Sequence, residues 1–387
     1  MPILESLRGA LGPTFGRAWR SLRSNVQDDR ERVAAYRAMF PFEPWCLDYV
    51  HVAGADVEIK GWAIAPGGTS SAVTLAVNGR PFNTVKYPTV RKDLGELYWY
   101  LPHAKYSGFE ARTPADPDVL TSADPLVLQC VNRKTGVPFR EEHAYYFNSR
   151  SSAHLPVPDG GRMRRVHGGD QVDSFLLEGY STFVKLDRAL TQYTGRRLQD
   201  CARILDWGCG CGRLIRHLSG LPPGTRIAGC DIDVDNVNWC RQHLPFADYF
   251  DLPLHTPTPL PAGAFDLIVG ISVFTHLKEK DQDDWLAELK RVSAPGAVLL
   301  VTVHGNAAAS RQNWPLPILT AWQQHGFIDG TSHDLDGFIE DADYYRNACH
   351  TADYVRRHWG QFFEVVTIVE GYIGNFQDLV ILRVPAR

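Results

Sequence analysis

From residue 43 to about residue 150, apolar and polar positions alternate in short runs separated by turn residues, the period-two pattern of half-buried strands. Runs over 57–63, 72–77, 82–87 and 126–131, with a last one near 145–147, are predicted as strands. Asn78-Gly79 reads as a two-residue hairpin turn and Arg133-Lys134-Thr135-Gly136 as a longer one, so residues 43–150 are expected to form an all-β sandwich. From about Phe175 the apolar period becomes helical, and after Arg203 short apolar runs alternate with helical stripes, as in a parallel sheet covered by helices. An α/β domain is therefore expected over 175–387. Ser, Pro, Gly and Arg dominate the stretch between the two units, and 151–174 reads as a linker.

The N-terminal segment, 1–42, has its own pattern. Leu4, Leu7, Leu11, Phe15, Trp19 and Leu22 recur at three- or four-residue spacing, while Arg8, Arg17, Arg20 and Arg23 outnumber Glu5. This short helical segment is amphipathic and basic. Residues 1–24 suit peripheral contact with an anionic membrane face or packing against another domain, and Gly12-Pro13 interrupts the helix.

Composition narrows the function classes. At 387 residues the chain is long enough for two or three domains, and no apolar run approaches the roughly 18 residues of a membrane span. A formal charge of −4 supplies no basic field for nucleic acid, so no nucleic-acid partner is expected. Eight cysteines without dense, even spacing suit reduced thiols, and the N-terminus lacks the apolar core of a signal peptide. A cytoplasmic protein is expected, at most peripheral to the inner face of the membrane.

The chemistry is concentrated after residue 203. Arg203-Ile204-Leu205-Asp206-Trp207 is an apolar strand running into Gly208, Gly210 and Gly212, with Leu214, Ile215 and Leu218 starting a helical stripe. Such a turn brings backbone N–H groups close to a ligand, and a helix N-terminus adds a field that favours an anionic group. A second strand, 226–231, ends in Asp231, 23 residues past Gly208, where a carboxylate can accept the hydroxyls of a ribose. A dinucleotide fingerprint would place its third glycine at Arg213, which disfavours a dehydrogenase.

An acid two residues before a G-x-G-x-G turn resembles motif I of the class I S-adenosylmethionine-dependent methyltransferases. The similarity continues through Phe265-Asp266-Leu267-Ile268-Val269-Gly270 to Ile271-Ser272-Val273-Phe274-Thr275-His276, then a helix carrying Trp285, Leu286, Leu289 and Val292. A fifth strand over 297–303 and a closing antiparallel hairpin from 363–369 and 379–384 complete it. The resemblance implies a Rossmann-like, seven-stranded methyltransferase domain over 175–387 with S-adenosyl-L-methionine as cofactor. It also implies that Gly208 and Gly210 border the methionine portion, Asp231 the ribose, and Leu254 with His255 the adenine. Asp206 would orient the turn, and Ile232 and Ile271 would serve as apolar walls or belong to the sheet core. The loop holding His255 departs from the family's usual acidic pattern. Cys209 and Cys211 have no second pair at zinc spacing, and no metal is expected.

Methyl transfer to a hydroxyl needs an in-line nucleophile and a base for its proton. In a parallel α/β sheet the ligand lies beyond the carboxyl ends of the strands. His304, His276 and Asp378 are the catalytic candidates on that face, His304 first by position, and Tyr180 could close the pocket from the side. His276 could equally cap the following helix and Asp378 serve the hairpin turn. Lys60-Gly61-Trp62-Ala63, Val77-Asn78-Gly79, Arg91-Lys92-Asp93-Leu94 and Ser107-Gly108-Phe109 look similar to a β-sandwich module of bacterial surface-polysaccharide enzymes. That resemblance implies a glycan or lipid-linked sugar hydroxyl as acceptor, with Tyr98, Trp99 and Tyr100 as a stacking platform or as packing. A small-molecule methyltransferase, with the sandwich as an oligomer interface, and a non-catalytic glycan-binding protein are the alternatives.

Overall fold

Asn78 and Gly79 both adopt positive φ, 48° and 76°, the backbone a tight hairpin requires, and so the expected turn forms between two short strands. In the computed structural model the described residues are 26–40, 44–53, 56–65, 73–115, 125–139, 143–145, 154–332, 337–338, 341 and 343–385. The amphipathic segment 1–24 lies outside them.

The first described element is helix α1 (Val26–Ala38), followed by strands β1 (Trp45–Ala53), β2 (Asp56–Ala63), β3 (Val73–Val77), β4 (Arg80–Pro81) and β5 (Thr84–Thr89). Helix α2 (Lys92–Leu97) then precedes β6 (Gly108–Pro114), β7 (Leu126–Asn132) and β8 (His143–Tyr145). They form two four-stranded antiparallel sheets, ordered β1-β2-β6-β5 and β4-β3-β7-β8. Residues alternate along β7 between buried and half-buried, and Leu126, Leu128 and Cys130 meet Trp45, Leu47, Val57 and Ile59 of the other sheet in one core. Periodicity did not single out β1 or β6, whose apolar residues are interrupted by Asp48, His51, Glu110 and Arg112 on the outer face.

The expected linker is partly helical. Helix α3 (Gly160–His167) begins at Asp159, whose carboxylate accepts the Gly161 and Arg162 N–H groups, and the long α4 (Val172–Thr194) follows. The α/β unit then runs β9 (Arg203–Trp207), β10 (Arg226–Asp231), α5 (Val234–His243), β11 (Asp248–Asp251), β12 (Phe265–Gly270), α6 (Glu279–Val292) and β13 (Ser293–Val303). After it come α7 (Asn306–Ala309), α8 (Leu316–His325), β14 (Phe327–Thr331), β15 (Arg346–His350), α9 (Ala352–His358), β16 (Glu364–Ile373) and β17 (Gln377–Arg383). The seven-stranded sheet has the order β11-β10-β9-β12-β13-β17-β16, parallel except for β17, which is antiparallel to both of its neighbours. Because β9 is an interior strand, its last four residues, Ile204 to Trp207, are all buried, Asp206 included. Strand order reverses beside β9, with β10 and β11 on one side and β12 and β13 on the other, the switch point beyond whose carboxyl ends such sheets bind ligands.

The expected helix after the glycine turn is a 3-10 helix, Ile215–Gly220, rather than an α-helix, so no α-helix N-terminus points its field at the turn. Cys349 and His350 lie on strand β15, paired with β14.

The two units share a core. Tyr98 and Tyr100 are 1% and 2% exposed, and with Tyr36, Trp62 and Leu94 they pack against Ala309, Leu319, Trp322 and Cys349 of the α/β unit. Burying each large aromatic removes roughly 150–250 Å² from water, about 4–6 kcal/mol at ~25 cal/mol/Å². Trp99 is half-buried under the Arg32 guanidinium, 4.3 Å from its ring. Of the two readings of this aromatic run, a stacking platform or packing, Tyr98 and Tyr100 show packing. Polar ties reinforce it: the Trp314 N–H donates to Tyr36 Oη at 2.7 Å, and Asn375 Nδ2 donates to the Trp45 carbonyl.

Candidate functional site

The strand-to-turn corner after β9 is fixed from below and from the side. Gly208, Gly210 and Gly212 all have positive φ, 78°, 51° and 85°, which L side chains seldom adopt. The N–H groups of Gly208 and Cys209 donate to the Cys230 carbonyl at 2.8 and 3.0 Å, tying the corner to β10. A Cβ on Gly208 would stand 2.3 Å from Val273, and one on Gly210 2.6 Å from Val166 of α3. Gly179 lets α4 lie against the same corner, since a Cβ there would meet the Arg213 carbonyl at 2.3 Å. Cys209 and Cys211 are buried beneath it as small fillers. Among the described residues no cluster of three metal-ligating side chains occurs.

The two acids expected at the corner face it from adjacent strands. Asp231 accepts the Gly210 N–H at 2.7 Å through Oδ2 and the Asp233 N–H at 2.9 Å through Oδ1. Burial nevertheless pushes its carboxyl up to about 6. Asp206, 2% exposed, is pushed up to about 7 by burial and by the neighbouring Asp231 charge. It accepts the Ile215 N–H, but its Oδ2 is buried without a hydrogen-bond partner among the described residues. A buried acceptor without a donor is costly, and a polar ligand at the turn would relieve it. These acids and the glycine corner fit a ribose-bearing cofactor with a polar amino-acid tail.

Helix α3, within the stretch expected as a linker, closes one side of this corner. Arg165 Nε donates to Asp233 Oδ2 and Arg165 Nη2 to Asp235 Oδ2, both at 2.8 Å, while Arg162 Nη2 reaches Asp235 at 2.5 Å. The Arg165 and Asp233 side chains are only 12% and 6% exposed. Asp233 also caps α5 by accepting the Asn236 N–H. Single-sequence periodicity misses these arginines because eight residues rich in Arg and Gly carry almost no apolar stripe.

On the expected adenine side, Ile232 and Leu254 are partly buried against one face of the sheet core, and Ile271 against the other. His255 is exposed, its ring 5.5 Å from that of Tyr344. The loop beyond it is anchored by Glu288, which accepts from the Thr258 N–H at 2.8 Å and from Arg291 at 2.6 Å. Those partners outweigh burial and hold the Glu288 carboxyl down at about 2.

His276 and His304 meet at the carboxyl ends of β12 and β13, with ring centroids 6.3 Å apart. His276 stacks on Tyr345 at 4.2 Å, and His304 packs on Phe376 at 4.7 Å. His276 Nδ1 lies 2.8 Å from the Arg346 carbonyl, so in the neutral ring Nδ1 carries the proton and Nε2 the lone pair. Nε2 faces Ser272 Oγ at 3.5 Å. His304 is nearly buried, and burial with the adjoining His276 and His350 holds its pKa well below the usual histidine range, so this ring is neutral. Asp378 lies behind them, accepting the Gly371 N–H at 2.8 Å and pressing so close to Gly305 that a Cβ there would clash at 1.8 Å. Tyr180 packs on His217, ring centroids 5.4 Å apart, on the α4 side of the glycine corner. Ser272, Thr302, Gln377 and Tyr345 complete this end of the crevice, and no spacing rule marks them in the sequence.

Comparison with known proteins places a methyltransferase-domain family on residues 205–299. Ajmaline N-methyltransferase of Rauvolfia serpentina is 30% identical over 117 residues, 28% of this chain and 39% of that protein. Trans-aconitate 2-methyltransferase of Azoarcus sp. is 32% identical over 109 residues, 28% of this chain and 42% of that protein. The chain thus spans about two fifths of the length of these curated relatives. Among solved structures, a SAM-dependent methyltransferase from Methanosarcina mazei aligns with 51% of this chain and 98% of its own at 19% identity and a TM-score of 0.37.

Proposed function

We propose that the chain, whose residues 205–299 match a methyltransferase-domain family, is an enzyme that transfers a methyl group from S-adenosylmethionine to a hydroxyl of a small molecule or sugar. The observation that carries this reading is the pairing of the glycine corner with Asp231 through the Gly210 N–H, beside the buried, under-satisfied Asp206. Asp231 keeps acceptor capacity for a ribose hydroxyl, since its carboxylate offers about four lone-pair sites and the Gly210, Ile232 and Asp233 N–H groups take three. Gly208 and Gly210 border the methionine portion, while Ile232, His255 and Ile271 border the adenine.

Bound there, the cofactor would supply an electrophilic sulfonium methyl group to the acceptor oxygen. His276 takes the acceptor proton at Nε2, because the Arg346 carbonyl keeps Nδ1 protonated and leaves Nε2 the basic atom. His304, the first candidate by position, serves as the neutral neighbour that keeps a second positive charge away from His276. Asp378 shapes the hairpin instead, its Oδ1 taken by the Gly371 N–H.

The acceptor is read as a small hydroxyl compound rather than a polymer, because the aromatic residues that suggested a sugar platform are packed between the two units. Purified protein incubated with methyl-labelled S-adenosylmethionine and separate soluble and envelope fractions tests this. Label is expected in soluble small molecules or sugars, and label confined to envelope polymer would overturn the choice of acceptor.

A further inference from the structure

Strand β12 leaves the sheet at a residue with unusual backbone. Ser272 has φ +63°, a left-handed conformation that glycine adopts freely and serine seldom does. Strained residues of this kind persist where the surroundings fix them, and functional sites are where they collect. The surroundings here are a closed ring of hydrogen bonds. The Ser272 N–H donates to Thr302 Oγ1 at 2.7 Å, the Thr302 hydroxyl donates to Gln377 Oε1 at 2.6 Å, and Gln377 Nε2 donates to Ser272 Oγ at 2.9 Å.

The direction of these bonds has a chemical consequence. The Gln377 amide stands with its oxygen toward Thr302, where it accepts the Thr302 hydroxyl proton, and with its nitrogen toward Ser272. Ser272 Oγ then accepts from Gln377, and its proton is directed out of the ring. In that direction lie Thr275 Oγ1 at 3.2 Å and His276 Nε2 at 3.5 Å. The position is also close to the donor side, because the next residue, Val273, forms the wall over Gly208.

We infer that Ser272 is a positioning residue for the methyl acceptor, its hydroxyl donating to the acceptor oxygen while His276 Nε2 receives that oxygen's proton. This rests on the reading of His276 given above. An oxygen seated within reach of both groups gives its hydrogen to His276 and one lone pair to Ser272. Its remaining lone pair is the only one left to point at the methyl carbon, which is the orientation an in-line transfer needs. A glycine at position 272 would spare the backbone its strain but supply no hydroxyl, which accounts for serine in a left-handed position.

Ser272→Gly separates this role from a structural one, since it removes the hydroxyl and relieves the backbone. Its thermal midpoint is expected at or above that of the wild type, and its affinity for S-adenosylmethionine by calorimetry within about twofold, well under the tenfold that 1.4 kcal/mol represents. In protein labelled with nitrogen-15 histidine, the His276 Nε2 resonance is expected to move in both Ser272→Gly and Ser272→Ala while Nδ1 stays in place. Methyl transfer from labelled S-adenosylmethionine to a soluble metabolite extract is expected to fall about tenfold or more, the effect of one lost hydrogen bond to the reacting atom. An unmoved Nε2 resonance, or transfer by Ser272→Gly equal to the wild type, would overturn the inference. Failure of the wild type to bind S-adenosylmethionine would instead count against the methyltransferase reading, and the His276 resonances would still judge Ser272.

Discussion

Asp231 Oδ2 accepts the Gly210 N–H at 2.7 Å, so the acid at the end of β10 and the glycine corner after β9 hold one another in place. That single bond joins two sequence features separated by a full strand-and-turn unit. It orients the turn before any ligand arrives, and it leaves the carboxylate facing the crevice.

Asp231→Asn is therefore expected to weaken S-adenosylmethionine binding by about 1.5–3 kcal/mol, roughly 10- to 150-fold, the range for hydrogen bonds to a charged group. The amide can accept on one side only, and its NH2 opposes either Gly210 or Asp233. Calorimetric titration of the variant checks this, with circular dichroism showing that the fold is kept.

Ionisation of Asp206 gives a pH signature in the cofactor-free protein. Its folded pKa, about 7, lies above the ordinary carboxyl value, so the folded state holds a proton that the unfolded chain has lost. The stability this contributes is complete below about pH 4 and disappears as pH rises through about 7. Relative to Asp206→Asn, the wild type should thus lose stability between those limits, by an amount on the order of 4 kcal/mol. Denaturant unfolding of both proteins at a series of pH values measures it, and a constant difference would show an ordinary carboxyl.

The pairing of Arg165 with Asp233 should behave as a buried ion pair. Breaking it by Arg165→Ala leaves Asp233 buried and charged, a loss of about 3–5 kcal/mol, whereas Arg165→Met with Asp233→Asn should recover much of that. A double-mutant cycle on unfolding free energy tests the coupling. Additive effects would mean that α3 is held by other contacts.

Interior packing of Tyr98 makes the two units one cooperative body. Calorimetric unfolding should show a single transition, and Tyr98→Ala should lower it through a loss of about 3–5 kcal/mol. Two transitions, only one of them moved, would mean that the units unfold independently.

The glycine corner, Asp231 and strands β9, β10, β12 and β13 were legible because each is a local pattern: an apolar run, a turn chemistry, an acid at a strand end. The hairpin at Asn78-Gly79 was legible for the same reason. What escaped depends on contacts between residues far apart in the chain. Whether Tyr98 and Tyr100 face a sugar or a neighbouring domain is decided by Leu319 and Trp322, more than 200 positions away, and nothing in an aromatic run distinguishes the two. The tautomer of His276 is set by the carbonyl of Arg346, and Ser272 acquires its orientation from Thr302 and Gln377. The 3-10 segment after the glycine corner carries the same apolar spacing as a helix start, since Leu214, Ile215 and Leu218 pack against the sheet either way.

Titration of the purified wild-type chain with S-adenosylmethionine is the most direct test of the central claim. Saturable binding is expected at one site per chain, competed by S-adenosylhomocysteine and weakened by Asp231→Asn. An absence of binding heat together with an unchanged thermal midpoint at saturating cofactor would contradict it.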